Sequence, residues 1–323
     1  MSTNQSSKLF IEHQFPISHN NVAAILKAYD LNEFSYLLAD SGVENATLIL
    51  DTEAAKYALR IYRQFKKSTA EVRLELMFAQ YLSIHGIPSP KTVETKTGDI
   101  VAEVTVSGRV WQAVLMDFEE GDHPVKYTHA LLTKMAILQA HMHTLGIEFG
   151  EEMHATKAIK SLEPGSLVVD IDLEDLVNDR LSAFVLRANK HSVALPGNLP
   201  HGFSHFDFDR GNILLVGEDI SAVLDFDDTH YGPVVICLAN TIWDILAIST
   251  GDEAVHLYIE TYESSRQMSE DELSLIPDIV LYRHYLISCM KISFGKLAED
   301  DLEKYLSLEN RILLLHSVLR EKP

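Results

Sequence analysis

Along its first 116 residues the chain alternates short apolar runs with polar turns, interrupted by one longer stretch whose apolar residues recur at helical spacing. Ala46–Leu50 and Lys56–Tyr62 predict two strands joined by a short turn. Ile100–Val106 and Arg109–Met116 predict a hairpin turned at Ser107-Gly108. Between the pairs, Ser68-Thr-Ala-Glu71 has the form of a capping box, and the helical period runs on through Ile84 until Gly86 and Pro88 stop it. Residues 21–31 predict a short helix capped by Asn20 or Asn21. The region predicts a small antiparallel sheet carrying one main helix.

After Met116 the pattern changes. Leu131–Leu145 has a helical period, residues 148–179 are acidic and helical in parts, and from Pro233 the pattern is helical to the end. Ile213–Val216 and Ser221–Leu224 are apolar around Gly217-Glu-Asp219, which predicts a β-hairpin. No repeat or low-complexity tract is evident. The organisation expected is an N-terminal lobe over 1–116, a connector over 117–121 and a helical C-terminal lobe over 122–323.

That hairpin is flanked by chemistry. His205-Phe-Asp207-Phe-Asp-Arg-Gly-Asn212 precedes it, and Asp225-Phe-Asp-Asp228 follows. With the turn centred between Glu218 and Asp219, Asn212 pairs across from Asp225, and opposed Cβ atoms lie roughly 5 Å apart. Two oxygen donors at that spacing can share one cation. Phosphoryl transfer from a nucleotide needs such a pair for magnesium, plus a carboxylate to orient and deprotonate a hydroxyl.

Composition narrows the partners. At 323 residues and 46% hydrophobic, the chain can bury one large core or two modest ones. No run of about 18 apolar residues exists, so no membrane span is expected. The polar start lacks the order of a signal peptide. Two isolated cysteines, Cys237 and Cys289, suit neither a disulfide framework nor a zinc site, and a reducing cytoplasm is the expected location. Net charge is −20, with 15 acids and 11 bases in residues 1–120 against 32 and 16 in 121–323. That balance argues against nucleic acid. It suits a cationic or zwitterionic small molecule, although acids that keep the surface soluble account for it equally well.

A β-rich lobe, a connector and a helical lobe bearing H-x-D-x-x-x-x-N and then D-F resemble the aminoglycoside phosphotransferase and choline kinase-like family, nearest its homoserine kinase branch. The resemblance covers roughly residues 35–245 and implies an α+β, two-lobed, protein-kinase-like fold. It implies ATP and Mg2+ as cofactors and a small, amine-bearing hydroxyl substrate: homoserine-like, an amino alcohol or an aminoglycoside. Asp207 matches the catalytic base, Asn212 and Asp225 match the magnesium ligands, and His205 matches a histidine that braces the catalytic loop. Arg60 falls where the family places a cation on the α and β phosphates. Its acidic partner on the following helix is Glu71 or Glu75, and Glu75 is favoured because a capping box would occupy Glu71. Met116, Asp117 and Phe118 resemble the adenine-binding hinge, and the segment containing Gly42 and Asn45 resembles a reduced phosphate loop. Three departures stand out. Phe206 replaces the usual glycine of His-Gly-Asp, Cys237 replaces an Asp, and the phosphate loop has a single glycine.

Other features have two readings each. Asp209, Asp227 and Asp228 contact substrate or a second metal, or they merely solvate loops. His141 and His143, two apart on a helix, point to different faces and are read as structural or surface histidines. Cys237 reads as a small buried residue, and the acid run from Asp170 to Asp175 as a solvated helix face. Three other functions compete. They are a Ser/Thr protein kinase on the same scaffold, a nucleotide-binding module without catalysis, and a haloacid dehalogenase-like phosphohydrolase using Asp225 as nucleophile in Asp225-Phe-Asp227-Asp-Thr229. The last requires a parallel strand before Asp225, whereas the pattern predicts a hairpin.

Overall fold

The alternating segments of the first 116 residues form one five-stranded antiparallel sheet. It is seen in a computed structural model that describes residues 15–39, 45–63, 67–153, 166–168, 179–249, 252–293 and 299–320. Its strands are β1 (Ser35–Leu38), β2 (Ala46–Asp51), β3 (Lys56–Ile61), β4 (Ala102–Val106) and β5 (Arg109–Asp117), in the order β1-β2-β3-β5-β4. Strand β1 was not anticipated. It is a four-residue edge strand with Leu37 and Leu38 exposed, so it carries no apolar alternation to read.

Two helices cover the two faces of this sheet. Helix α1 (His19–Leu26) packs Val22, Ile25 and Leu26 against Leu48, Leu59 and Trp111. Its cap corrects the expectation of Asn20 or Asn21. Ser18, in extended conformation, accepts the Asn21 amide at 3.3 Å, while the Asn21 side chain donates to the Pro16 carbonyl at 2.7 Å. Helix α2 (Thr69–Ile84) sets Val72 and Leu76 against Tyr62 and Val114 on the other face. It opens on the capping box, with the Glu71 carboxylate accepting from the Ser68 amide at 2.7 Å.

The chain divides into two compact units. The first comprises Met1–Asp122 with Leu214–Asp227, and the second His123–Ile213 with Asp228–Pro323. The connector expected over 117–121 assigned the whole hairpin to the second unit, whereas Leu214–Asp227 groups with the first. The second unit is mainly helical: α3 (His129–Glu152), α4 (Asp179–Ala188), α5 (Val235–Ile248), α6 (Glu253–Ser265), α7 (Glu270–Ser293) and α8 (Glu299–Arg320). Short pairs β6 (Ser166–Val168) with β7 (Ser192–Ala194), and β8 (His201–Ser204) with β11 (His230–Pro233), complete it; β9 (Ile213–Val216) and β10 (Asp219–Val223) form the hairpin between. Among the described residues, no helix is long and apolar enough to cross a membrane.

Strand β8 leads directly into residues 205–212, so its seating matters. Helix α3 approaches it so closely that a Cβ on Gly146 would lie 1.9 Å from the Phe203 carbonyl oxygen, and one on Gly202 would lie 2.7 Å from the Ile147 nitrogen. Only glycine permits this contact. Further along α3, His141 is exposed and His143 buried, as two-residue spacing on a helix requires. His143 Nδ1 shares a 2.6 Å hydrogen bond with the Tyr262 hydroxyl.

Burial pushes the His143 imidazole well below its ordinary pKa and lowers that of His284 on α7 from 6.5 to about 4. An unfolded chain therefore binds protons between pH 6.5 and 4 that the native His284 refuses, so stability falls as pH drops through that window. Each such histidine contributes a slope of up to about 1.4 kcal/mol per pH unit. Urea unfolding at pH 7 and pH 5 should show this loss, and His284→Asn should flatten the dependence.

Candidate active site

The first unit gathers its functional side chains around the end of the hairpin. Strands β9 and β10 leave only Gly217 and Glu218 between them, and Gly217 takes the positive φ of 65° that a tight turn needs. The turn is thus centred one residue earlier than expected. Asp225 lies beyond the end of β10 with φ 62°, so the expected strand pairing of Asn212 with Asp225 is not a register of this hairpin. A connection of two residues also makes the hairpin antiparallel, which removes the parallel strand that the phosphohydrolase alternative required.

Arg60, on β3, donates from one guanidinium nitrogen to Asp225 Oδ1 at 2.7 Å and lies 3.8 Å from Asp227 Oδ2. Burial opposes its charge, but Asp225 and Asp227 hold its pKa above the ordinary value. The expectation that Glu75 pairs with Arg60 is therefore corrected. The cation on Glu75 is Lys67, which sits just before α2 and also bonds the Asp227 carboxylate at 2.8 Å. Glu75 is buried and accepts the Tyr62 hydroxyl at 2.5 Å as well. Burial raises its carboxyl from 4.5 to about 7, with Lys67 opposing the shift. Asn45 is a tether here. Its Nδ2 donates to Asp227 Oδ2 at 2.8 Å and its Oδ1 accepts the Arg63 amide at 2.9 Å. Met116 and Asp117 belong to β5, paired with Ala58 and Tyr57, and the Asp117 amide donates to the Lys91 carbonyl at 2.8 Å. Phe118 lies 5.9 Å from the Lys56 ammonium. Gly42 lies outside the described residues, as does the acid run from Asp170 to Asp175.

The second unit holds the loop from His205 to Asn212. Phe206, where the family prefers glycine, adopts the left-handed φ of 70° that glycine takes without strain. A bulky residue in this region costs on the order of 1–3 kcal/mol. Its neighbours hold it there: Asn240 Nδ2 donates to its carbonyl at 2.9 Å, and the His230 ring stacks on its own at 4.1 Å. Two residues on, the Phe208 carbonyl accepts Thr241 Oγ1 at 2.7 Å. Thr241 is itself bonded by Gln139 and Gln139 by Tyr258, at 2.8 and 2.9 Å. The loop is thus pinned to α5 at two carbonyls flanking Asp207.

Asp207 and Asn212 are brought together. Asn212 Nδ2 donates to the Asp207 carbonyl at 2.8 Å and reaches its Oδ2 at 3.5 Å, which turns the carboxamide oxygen the other way. Arg283, from α7, donates to Asp207 Oδ1 at 3.1 Å. Asp209 accepts the Gly211 amide at 2.6 Å. Its carboxyl is raised from 3.8 to about 6 by burial and by the charges of Asp207 and Asp244. Asp244 accepts the Tyr127 hydroxyl at 2.5 Å. Asp228 is exposed, and its carbonyl accepts from the ring of His230. Cys237 is buried, and burial raises its thiol to about 11.

Lys67, Asn240, Thr241, Gln139 and Arg283 carry the arrangement without having been singled out in the sequence. A usable signal existed for three. Asn240 and Thr241 interrupt the apolar run of α5, and Gln139 interrupts that of α3, where a polar residue must find a buried partner. Nothing in the sequence marks Lys67 or Arg283.

Lys67 is the only cation bonded to Glu75 among the described residues, and both side chains are more than nine-tenths buried. Removing one member of a buried pair leaves an uncompensated charge, at a cost of about 3–5 kcal/mol. Lys67→Met should lower the thermal midpoint accordingly, and Glu75→Leu added to it should recover part of the loss. A cost below about 1 kcal/mol would show that the pair behaves as an exposed one.

The chain is similar to the homoserine kinase of Nitrobacter hamburgensis (28% identical over 272 residues, 81% of this chain and 80% of that protein). It is 27% identical to the homoserine kinase of Bradyrhizobium diazoefficiens, with the same coverage. Among solved structures it resembles a microcompartment-associated aminopropanol kinase (TM-score 0.71, 18% identity, 93% of this chain and 97% of that one). It also resembles an amicoumacin kinase in complex with AMP-PNP and Ca2+ (TM-score 0.70, 18% identity, 99% and 96%). These likenesses make the fold protein-kinase-like, an α+β arrangement with a small antiparallel sheet unit and a larger helical one. Residues 35–272 match the profile of the phosphotransferase enzyme family, and with Asp207 and Asn212 joined on their loop within that span, the chain belongs to this family of phosphotransferase enzymes.

Proposed function

We propose that the protein is an ATP- and magnesium-dependent kinase that moves the γ-phosphate to a hydroxyl of a small, amine-bearing acceptor, homoserine-like in the first instance. The observation that carries this reading is Asp207, held on a pinned loop between Asn212 and Arg283 in a chain of the phosphotransferase family. The homoserine kinases among its relatives support the choice of acceptor.

The residues present fit the cofactors. Magnesium takes oxygen donors and is commonly held by one or two protein groups together with substrate phosphates. Asn212 turns its amide nitrogen toward Asp207, leaving its oxygen to face a cation. Asp225 engages Arg60 through Oδ1 alone, and its carboxylate is about half exposed. For the phosphates, Arg60 offers a guanidinium whose Nε is buried without a hydrogen-bond partner among the described residues. For adenine, the backbone over Met116–Phe118 is proposed as the hinge, with Asn45 near the phosphates. Bound magnesium supplies neutralisation of the developing phosphate charge.

In this mechanism Asp207 accepts a hydrogen bond from the acceptor hydroxyl, aims its oxygen, and takes its proton as the new O–P bond forms. Asn212 and Arg283 keep the carboxylate from rotating away. Asp209 stays beside it as a local negative charge suited to an ammonium. No covalent enzyme intermediate is required. Cytoplasmic action is part of the proposal, supported by two buried, unpaired cysteines.

ATP consumption with a panel of amino alcohols, hydroxy amino acids and a protein substrate tests the reading. The wild type should consume ATP with the small acceptors and require magnesium. Asp207→Ala should cut the rate by about 100- to 10,000-fold. Turnover of the protein substrate alone would favour a protein kinase instead.

A further inference from the structure

We propose that Arg283 binds a carboxylate of the acceptor, so that the substrate is a hydroxyl-bearing amino acid rather than a simple amino alcohol. This rests on the phosphotransferase reading above and specifies its substrate class.

Arg283 projects from the middle of α7 and is 17% exposed. Its guanidinium carbon lies 5.9 Å from the centre of the Trp243 ring. One nitrogen donates to Asp207 at 3.1 Å, while Nε is buried with no hydrogen-bond partner among the described residues. A guanidinium has five N–H donors in a rigid fork matched to a carboxylate. Here one donor is engaged by an acceptor that is itself 37% exposed, and one is desolvated without return. A buried donor left in this state costs stability unless a ligand completes it.

Position adds the second reason. The group that Arg283 touches is the one proposed to receive the hydroxyl proton. An anion held by Arg283 therefore lies within the length of one small molecule from the reacting oxygen. A substrate carboxylate would take the remaining N–H donors of the fork while the contact to Asp207 is kept. The carboxylates of Asp209 and Asp244 also act on Asp207, with the Arg210 guanidinium beside Asp244. They suit the ammonium of the same amino acid. Arg283 and these acids together offer opposite charges to the two ends of a zwitterion.

The alternative is that Arg283 only positions Asp207. Homoserine and 3-amino-1-propanol differ by the carboxylate alone and separate the two roles. The wild type should favour homoserine in kcat/KM. In Arg283→Met the ratio of the two kcat/KM values should fall by about 10- to 100-fold, chiefly through KM for homoserine, as loss of a charged hydrogen-bond partner implies. Arg283→Lys should restore part of it. A drop in kcat that is equal for both acceptors, with the ratio unchanged, would overturn the proposal, as would a wild-type preference for 3-amino-1-propanol. Calorimetric binding of the two compounds tells the possible failures apart. Arg283-dependent binding of homoserine without any turnover would sink the phosphotransfer reading alone, whereas equal binding of both compounds would sink this one.

Discussion

Carboxylates packed close together repel one another, and both units of this protein are organised around relieving that repulsion. In the first unit Glu75, Asp225 and Asp227 share two cations, Arg60 and Lys67. In the second, Asp207, Asp209 and Asp244 are met by the guanidinium groups of Arg283 and Arg210 and by neutral donors from Tyr127 and the loop backbone. The relief is incomplete. Glu75 and Asp209 hold protons up to about pH 7 and 6, each for reasons of burial first and neighbouring charge second. Groups held in this condition favour the arrival of a cation, be it a metal ion or an ammonium. The acidic excess of the C-terminal part, which in the sequence looked equally like a solubility device, includes side chains committed to this local work.

Geometry is maintained by polar residues buried beneath the loop. Asn240 and Thr241 sit side by side on α5 and take the Phe206 and Phe208 carbonyls, so the residue between them has no freedom to turn. Gln139 and Tyr258 continue the network into α3 and α6. This is how a phenylalanine persists at a position with φ 70°. The strain is local, while hydrogen bonds from α5 and a stacked histidine from β11 over-determine the conformation.

Much of the fold was legible. Helix α2 was readable at both ends because Ser68 and Glu71 form a self-contained capping box and Gly86 follows in the left-handed region. The hairpins at 46–61 and 102–117 were readable because their inward positions are apolar at period two. Strand β1 was not, since an exposed edge strand has no inward face to reveal. The hairpin after Asn212 was recognised, but its register was misplaced by the choice of turn centre: three polar turn residues offered two centres, and Gly217 decided between them. The loop motif named Asp207 and Asn212 because it is local in sequence. The partner of Glu75 and the partner of Asp207 are contacts between distant segments, and a lysine or arginine chosen by tertiary packing leaves no periodic trace. Lys67 lies seven residues from the arginine first expected in its place.

The central claim is direct transfer of a phosphoryl group from ATP to an acceptor oxygen. Phosphorus-31 NMR of a reaction containing ATP, magnesium and homoserine tests it most directly. The account predicts ADP and a phosphomonoester of the acceptor appearing in equal amounts, with no build-up of inorganic phosphate. Release of inorganic phosphate alone, or an unchanged ATP spectrum across the whole range of amine-bearing acceptors, would contradict it.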